Sequence, residues 1–182
     1  MRYAALLAGL LATPAYAADD ITSAYTDLDI AECTIMSSDD FGSVWACPGY
    51  KGYPVRVAEG DLRFFVSYGF GAADEPAAEQ TPPPFNYLGA KIEWRLSNKS
   101  GDWRPIATIV RYFTDKGDTS DKEGQVLVVT RLAPEATCQI AYVDAVANVN
   151  ANELARKAAD GFGDAACPET PEIIGKFAAW AR

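Results

Sequence analysis

The sequence predicts an α+β fold: an antiparallel β-sheet of about seven to eight strands with two C-terminal helices and two disulfides. Apolar and polar residues alternate through residues 32–133, which is typical of half-buried strands. The pattern becomes helical after Asp144, and four cysteines follow an export signal. Strands followed by helices in this way favour an α+β arrangement.

The first seventeen residues have the features of a secretory signal peptide. Arg2 gives the positive start, residues 4–12 form an apolar core that Pro14 ends, and Ala15-Tyr16-Ala17 places small residues before the cleavage site. The apolar run is about half of the ~20 residues that a membrane-spanning helix needs, so we predict cleavage without membrane insertion. Residues 18–182 are then expected to form a single α+β domain in the periplasm.

Four cysteines in an exported chain predict disulfides. Cys33 and Cys47 flank a turn-like stretch, so a hairpin there would bring them together. Cys138 lies in a late predicted strand, and Cys167 follows the first predicted helix. We therefore predict the pairs Cys33–Cys47 and Cys138–Cys167, each stabilising the fold by about 2–4 kcal/mol.

The predicted strands are short and are separated by turn residues such as Pro48-Gly49-Tyr50-Lys51-Gly52. They cover residues 33–36, 43–47, 53–58, 61–68, 88–96, 103–113, 125–132 and 137–143. The clearest alternation is in 88–96, where Lys91, Glu93 and Arg95 share one face. That face is expected to be solvated and to form cross-strand ion pairs; a site for an anionic small ligand is the alternative.

The stretch Gly69–Pro84 is rich in alanine and proline and predicts a solvated loop with a polyproline-like end. The three prolines before Phe85 could instead present a recognition edge. Two helices are predicted after this sheet. Asn150, with Glu153 at the third helical position, would begin the first. The second would cover Thr170–Trp180, with a proline in its first turn.

Composition excludes several classes of function. The net charge is 16 − 25 = −9, and −10 without Arg2, so neither nucleic acid nor an anionic lipid surface is an expected partner. The chain has no histidine, which excludes imidazole as a catalytic base or metal ligand. The acidic stretch 115–124 lacks the spacing of a calcium-binding EF-hand loop, so no cofactor or metal is predicted.

Aromatic residues near the turns that flank the Pro-rich loop are the best functional candidates. Aromatic side chains beside glycine and proline are typical of contact surfaces, although they can also close the end of a core. The predicted binding residues are Tyr50, Tyr53, Tyr68, Phe85 and Tyr87. We therefore expect a periplasmic, non-enzymatic binding or inhibitor-like module that contacts a protein or an envelope component.

Two other functions remain open from the sequence. A carboxylate-based hydrolase of the cell envelope could draw its acid and base from Glu59, Asp61, Glu93 and Asp144. A purely structural envelope protein would have no site. The stretch Asp144–Asn152, which has three asparagines, is expected to serve as a cap and turn; anion binding at the helix start is the alternative.

A resemblance to known proteins rests on four stretches of the sequence: Cys47–Val55, Glu59–Gly69, Ile92–Leu96 and Ala141–Asn152. On these the chain resembles a family of small exported proteins of Gram-negative bacteria. The resemblance covers most of the mature chain and implies no reaction and no catalytic residues. In being small, acidic, disulfide-bonded and β-rich, the chain is also similar to periplasmic lysozyme inhibitors.

Overall fold

The computed structural model describes residues 20–116, 123–163 and 165–180. The predicted signal peptide, residues 1–17, and part of the predicted charged tip, residues 117–122, lie outside these ranges. The described chain contains ten strands and one α-helix. They are β1 (Ile21–Asp27), β2 (Thr34–Asp39), β3 (Gly42–Cys47), β4 (Val55–Gly60), β5 (Arg63–Tyr68), β6 (Asn86–Ser97), β7 (Arg104–Thr114), β8 (Gly124–Arg131), β9 (Cys138–Asp144), α1 (Ala151–Gly161) and β10 (Glu172–Ile174).

The strands form two sheets, and the prediction of one sheet with two helices is wrong. The larger sheet has the order β1-β6-β7-β8-β9-β10, and the smaller has the order β2-β3-β4-β5. Paired strands are antiparallel except β9 and β10, which are parallel. Alternation along a strand shows that one face is buried, but it does not show which strands pair, so it could not separate the two sheets.

The main core lies between the two sheets. Val57 and Val66 of the smaller sheet meet Ile92, Trp94 and other apolar residues of the larger one, and all four have at most 1% exposure. Helix α1 covers the opposite face of the larger sheet, with Ala151, Ala155 and Ala159 against the apolar residues of β7, β8 and β9. The larger sheet is therefore buried on both faces and forms the middle layer of three.

The charged face predicted on β6 is buried under α1, so the expected solvated ladder is wrong. Arg95 Nε and Nη2 donate to the two carboxylate oxygens of Asp160 at 2.7 and 2.6 Å. Arg156 Nε donates to Glu93 Oε1 at 2.6 Å. Because helix and sheet supply opposite charges in bonding contact, these side chains can be buried. They attach α1 to the sheet, and Lys91 alone of the three predicted residues remains exposed, paired with Asp27.

The first predicted helix is confirmed as α1, but the second is wrong. Residues Glu172–Ile174 form β10 instead. Gly175 follows with a positive φ of 76°, in the left-handed region that glycine adopts without steric cost. The strand ends immediately before this residue. Phe177 and Trp180 then pack against the main core from an irregular segment. The spacing of Phe177 and Trp180 in the sequence fits one face of a helix. A chain that bends after three extended residues also brings both side chains to the core.

Polar residues at the end of β9 explain this C-terminal path. Asp144 Oδ2 accepts a hydrogen bond from Ala178 N at 2.8 Å, and its Oδ1 accepts from Val146 N and Ala147 N at the same distance. Asn148 Nδ2 donates to the carbonyl of Lys176 at 2.7 Å. The asparagine-rich stretch therefore holds the C-terminal segment, and Asn150 precedes α1 without a side-chain capping bond.

Both predicted disulfides are present. Cys33 pairs with Cys47 and Cys138 pairs with Cys167, with Cα atoms 4.5 and 6.1 Å apart. The first joins the start of β2 to the end of β3, and the second ties the segment after α1 to β9. Two such bonds indicate an extracellular or otherwise oxidising compartment.

The Pro-rich stretch is an anchored strap. Glu75, which is 7% exposed, accepts hydrogen bonds at 2.8 Å from the backbone N–H groups of Glu135 and Thr137. Gln80 accepts from Gln139 N at 2.7 Å and from Gln139 Nε2 at 2.8 Å. Buried polar groups bonded on both sides hold a loop in one place. The strap therefore fixes the position of the chain that follows it, beginning with Phe85.

Candidate ligand-binding cleft

The predicted binding aromatics divide into two groups in the structure. Tyr50, Tyr53 and Tyr68 surround Trp94, with ring centroids 6.4, 5.7 and 5.7 Å from the indole. Tyr68 is 1% exposed, and Tyr50 and Tyr53 are half-buried. We call these four residues the Trp94 cluster. It closes one end of the main core and leaves little ring surface for a partner.

Phe85 and Tyr87 lie elsewhere, at an open cleft where the two sheets part. Phe85 is 49% exposed and Tyr87 is 46% exposed. The cleft has a volume of about 590 Å³, within the range of small-molecule and side-chain pockets. We call it the aromatic cleft; it is lined by Trp45, Glu59, Leu62, Phe64, Phe85, Asn86, Tyr87, Phe113, Thr114, Asp115, Lys116 and Glu123.

Two ring pairs form the walls of the aromatic cleft. Trp45 and Phe64 are stacked with centroids 6.5 Å apart and planes at 21°. Tyr87 and Phe113, which are register partners on β6 and β7, stack at 4.9 Å and 14°. Sequence reasoning missed Trp45, Phe64 and Phe113, because each lies inside a strand and reads as an ordinary core position. Phe64 lies near the start of β5 and Phe113 near the end of β7, which is a weak signal of a strand end; Trp45, in the middle of β3, has no such signal.

Asn86 holds the chain segments around the cleft in fixed positions. Its side chain is buried, and Nδ2 donates to the carbonyls of Pro82 and Pro84 at 3.1 and 2.9 Å. Its Oδ1 accepts from Phe64 N at 3.0 Å. One amide therefore joins the strap, the start of β6 and the start of β5. Phe85 stands between two of these bonded positions, which preorganises its ring for contact.

The polar lining of the aromatic cleft is mostly acceptor. Glu59, Asp115 and Glu123 contribute carboxylates, and Lys116 contributes one ammonium. The side-chain amide of Asn86 is already hydrogen-bonded to backbone groups of the protein. Thr114 Oγ1 donates to the carbonyl of Ala179 at 3.2 Å. Carboxylates can accept several further bonds each, whereas they donate none when ionised. A ligand that brings donors and positive charge therefore matches this lining.

Tyr87 connects the ring walls to the charged rim. Its hydroxyl donates to Glu123 Oε1 at 2.6 Å. This bond, followed by slight burial and the carboxylate charge, raises the pKa of the Tyr87 phenol. The Glu123 carboxylate is thereby held at the hydroxyl end of the Tyr87 ring, beside the stack with Phe113, an arrangement that suits a cation lying on aromatic faces.

A second depression of about 350 Å³ adjoins the aromatic cleft on the other side of Phe85. It shares Phe85, Asp115 and Lys116 with the cleft, and adds Arg63, Pro83, Pro84 and Trp180. Phe85 is therefore a ridge between two hollows. Such a groove accommodates two neighbouring groups of one extended ligand.

The four acids of the hydrolase alternative are not gathered in the aromatic cleft. Among them, only Glu59 lines it. Asp61 forms an exposed ion pair with Arg63, and Asp144 holds the C-terminal segment. Glu93 lies under α1, where burial alone would raise its pKa, but hydrogen bonds from Arg156 and Ser23 outweigh burial and lower the pKa. These roles account for three of the four carboxylates without catalysis.

Comparison with protein-family models, with curated proteins and with solved structures finds no match to this chain. Among residues 20–116, 123–163 and 165–180, no group of three or more acidic or cysteine side chains is arranged to hold a metal ion. No helix within the described ranges has both the length and the apolar character needed to cross a membrane.

Proposed function

We propose that this protein is a periplasmic, non-enzymatic binding module that holds a basic and partly apolar segment of a protein partner in the aromatic cleft. The observation that supports it best is the composition of the cleft, which combines two partly exposed ring stacks with three carboxylates and one ammonium. Apolar walls bind aliphatic or aromatic groups, and the carboxylates favour lysine or arginine beside them. The acidic net charge of −9 attracts the same kind of partner over longer range.

The cleft is also rigid enough for recognition. Disulfide Cys33–Cys47 closes the strand that carries Trp45, and Asn86 fixes Phe85 through the strap. Side chains that are already ordered lose less conformational entropy on binding. Phe85, exposed between two hollows, is the expected anchor, since exposed aromatics near the centre of a contact surface often carry most of the binding energy.

The test uses short peptides with blocked ends. One alternates phenylalanine with lysine, and its matched control alternates phenylalanine with glutamate. Calorimetric titration should show saturable binding of the lysine peptide, and the Phe85→Ala variant should bind it at least about tenfold more weakly, the factor that corresponds to about 1.4 kcal/mol. Phe70→Ala is the matched control, because Phe70 is 98% exposed and does not line the cleft.

Two results would overturn the proposal. One is equal affinity for the lysine and glutamate peptides, which would show that the carboxylate lining does not select the ligand. The other is equal weakening by Phe85→Ala and Phe70→Ala, which would place the contact outside the aromatic cleft. Far-ultraviolet circular dichroism of both variants checks that the fold is retained.

A further inference from the structure

Strand β2 is an edge of the smaller sheet with an unusual surface. It is the terminal strand in the order β2-β3-β4-β5, and all six of its residues are exposed. Ile35 and Met36 are each 64% exposed, and Phe41 in the following turn is 88% exposed. The outer edge of a terminal strand presents backbone N–H and C=O groups that can pair with a further strand.

Protective features that proteins commonly place on such an edge are sparse here. The sequence Thr-Ile-Met-Ser-Ser-Asp contains neither lysine nor proline. A register shift between Ile35 and Ser37 leaves Met36 as the extra residue of a bulge, and Asp39 at the end of the strand is its one charged residue. By contrast, β1, the edge of the larger sheet, has Ser23, Tyr25 and Thr26 hydrogen-bonded to neighbouring side chains.

The β2 edge is held in an extended shape at both ends. The disulfide between Cys33 and Cys47 fixes its start. At its end, Asp39 Oδ1 accepts from the backbone N–H groups of Phe41 and Gly42 at 2.8 and 3.1 Å. The hydroxyls of Ser38 and Ser43 lie 2.8 Å apart across the hairpin. The strand is therefore preorganised. Most of the conformational entropy lost on binding would be lost by the partner strand, and little by β2.

Charge and position indicate what pairs with this edge. Residues 20–50 contain six acidic residues and neither lysine nor arginine. A second copy of this chain would therefore bring acids against acids, whereas a basic segment would be attracted. Ile35 is the register partner of Trp45, which lines the aromatic cleft. Register partners point to the same face, so the edge and the cleft form one continuous surface.

We propose that an extended basic segment of the partner adds a strand to β2, with its apolar side chains beside Ile35 and Met36 and its lysines or arginines near the acids that flank the strand. This inference rests on the proposed function, because it supplies the docking mode for the same partner. Added-strand recognition obtains affinity from main-chain hydrogen bonds and selectivity from alternate side chains.

The experiment compares two blocked peptides of equal length and equal charge. One alternates lysine with valine and isoleucine, and the other has proline at two central positions in place of valine. Hydrogen exchange of the full chain, followed by mass spectrometry, should show protection of residues 34–39 by the first peptide. The proline peptide should bind at least about tenfold more weakly, because proline cannot donate to a strand ladder.

The matched variants are Ile35→Lys with Met36→Lys, and Ile21→Lys on β1. The double variant should lose the protection of residues 34–39 and bind the first peptide at least about tenfold more weakly, since it removes apolar contacts and adds repulsive charge. Ile21, which is 37% exposed on the other edge strand, should tolerate lysine without a change in affinity.

Distinct results separate this inference from the proposed function. If Phe85→Ala weakens binding while the β2 double variant does not, the edge inference is overturned and the cleft proposal stands. If the β2 variant weakens binding while Phe85→Ala does not, the edge is supported and the cleft proposal fails. Equal binding of both peptides would overturn the added strand. A concentration-dependent dimer abolished by the double variant would replace the basic segment with a second copy.

Discussion

The Trp94 cluster and the aromatic cleft contain the same kinds of side chain near neighbouring turns, yet one is closed and the other is open. In the Trp94 cluster, three tyrosines surround an indole with 0% exposure, and the indole N–H donates to Thr26 Oγ1 at 2.9 Å. In the aromatic cleft, rings stack in pairs and leave about half of Phe85 and Tyr87 exposed.

The difference shows that aromatic content near turns does not by itself mark a contact surface. What separates the two regions is whether an element crosses over the rings. The segment Tyr50–Gly52 packs the Tyr50 ring against Trp94 at a centroid distance of 6.4 Å, whereas the strap ends at Phe85 beside the aromatic cleft. Stability is therefore expected to depend on the first region and binding on the second, and the predictions below test that division.

The largest expected effect is on Trp94. Trp94→Ala should lower the free energy of unfolding by about 3–5 kcal/mol, because it leaves a cavity in a fully buried site and removes the bond to Thr26. Phe85→Ala, the corresponding change in the cleft, should lower it by less than about 1 kcal/mol, since half of that ring already contacts water. Urea unfolding followed by circular dichroism measures both. Similar losses in the two variants would break the comparison.

Gly49→Ala should have the next largest effect. A Cβ atom at Gly49 would collide first with the backbone carbonyl oxygen of Tyr53, and it would also lie 2.8 and 2.9 Å from two carbons of the Trp94 ring, closer than normal packing permits. Overpacking of this kind should lower the free energy of unfolding by about 1–3 kcal/mol. Gly71→Ala is the control: a Cβ there meets nothing within 4 Å, so its unfolding midpoint in urea should barely move. An unchanged midpoint for Gly49→Ala would mean that the Trp94 cluster is looser than described.

Alkaline pH should weaken the core through its buried tyrosines. Burial raises the pKa of the Tyr68 and Tyr112 phenols above the ordinary value near 10. Below about pH 10 both folded and unfolded chains keep these protons, and stability is full. Above it the unfolded chain releases them while the folded chain does not, so the free energy of unfolding falls by up to about 1.4 kcal/mol per pH unit for each phenol.

The matched variants for this prediction are Tyr68→Phe and Phe70→Ala. Urea unfolding at several pH values above 10 should show a shallower decline for Tyr68→Phe, because the variant has one buried phenol fewer. Phe70→Ala should keep the original slope, since Phe70 is 98% exposed and carries no phenol. Identical slopes for all three proteins would contradict the burial of the Tyr68 hydroxyl.

Part of the fold follows from the sequence, and the remainder depends on long-range pairing. The disulfides were predictable, because Cys33 and Cys47 flank a hairpin turn in a chain with a predicted export signal. Helix α1 was predictable from the helical pattern that begins after Asp144. The burial of Glu93 and Arg95 was not, because opposite charges arrive from α1, more than fifty positions later. The path of Phe177 and Trp180 likewise depends on Asp144 and Asn148, which hold it from β9.

The candidate site was half predictable for a similar reason. Phe85 and Tyr87 follow a proline run, and local composition is enough to suggest exposure. Trp45 and Phe64 belong to the smaller sheet, so their place in the cleft depends on how two sheets separate at one end. Tyr68 looks equivalent to Tyr87 in sequence, but its strand runs through the core, which a one-sided alternation pattern cannot reveal.

The smallest effect on stability should come from the rim of the cleft. Glu123→Ala removes the carboxylate that accepts the Tyr87 hydroxyl, yet both groups are exposed, so the free energy of unfolding should change by less than about 0.5 kcal/mol. The phenol pKa of Tyr87 should fall toward its ordinary value, because the hydrogen bond to Glu123 is the main cause of its rise. Nuclear magnetic resonance titration of the tyrosine rings reports this directly.

Tyr53 is the internal control in that titration. Burial, and secondarily the charge of Glu75, raises its pKa, so Glu123→Ala should leave it unchanged. A fall in both phenol pKa values would mean that the variant loosens the whole fold, and the rim could not be separated from the core. A fall in neither would mean that Glu123 does not stay hydrogen-bonded to the Tyr87 hydroxyl in solution, and the cleft would lose the carboxylate placed best to meet a cation lying on its rings.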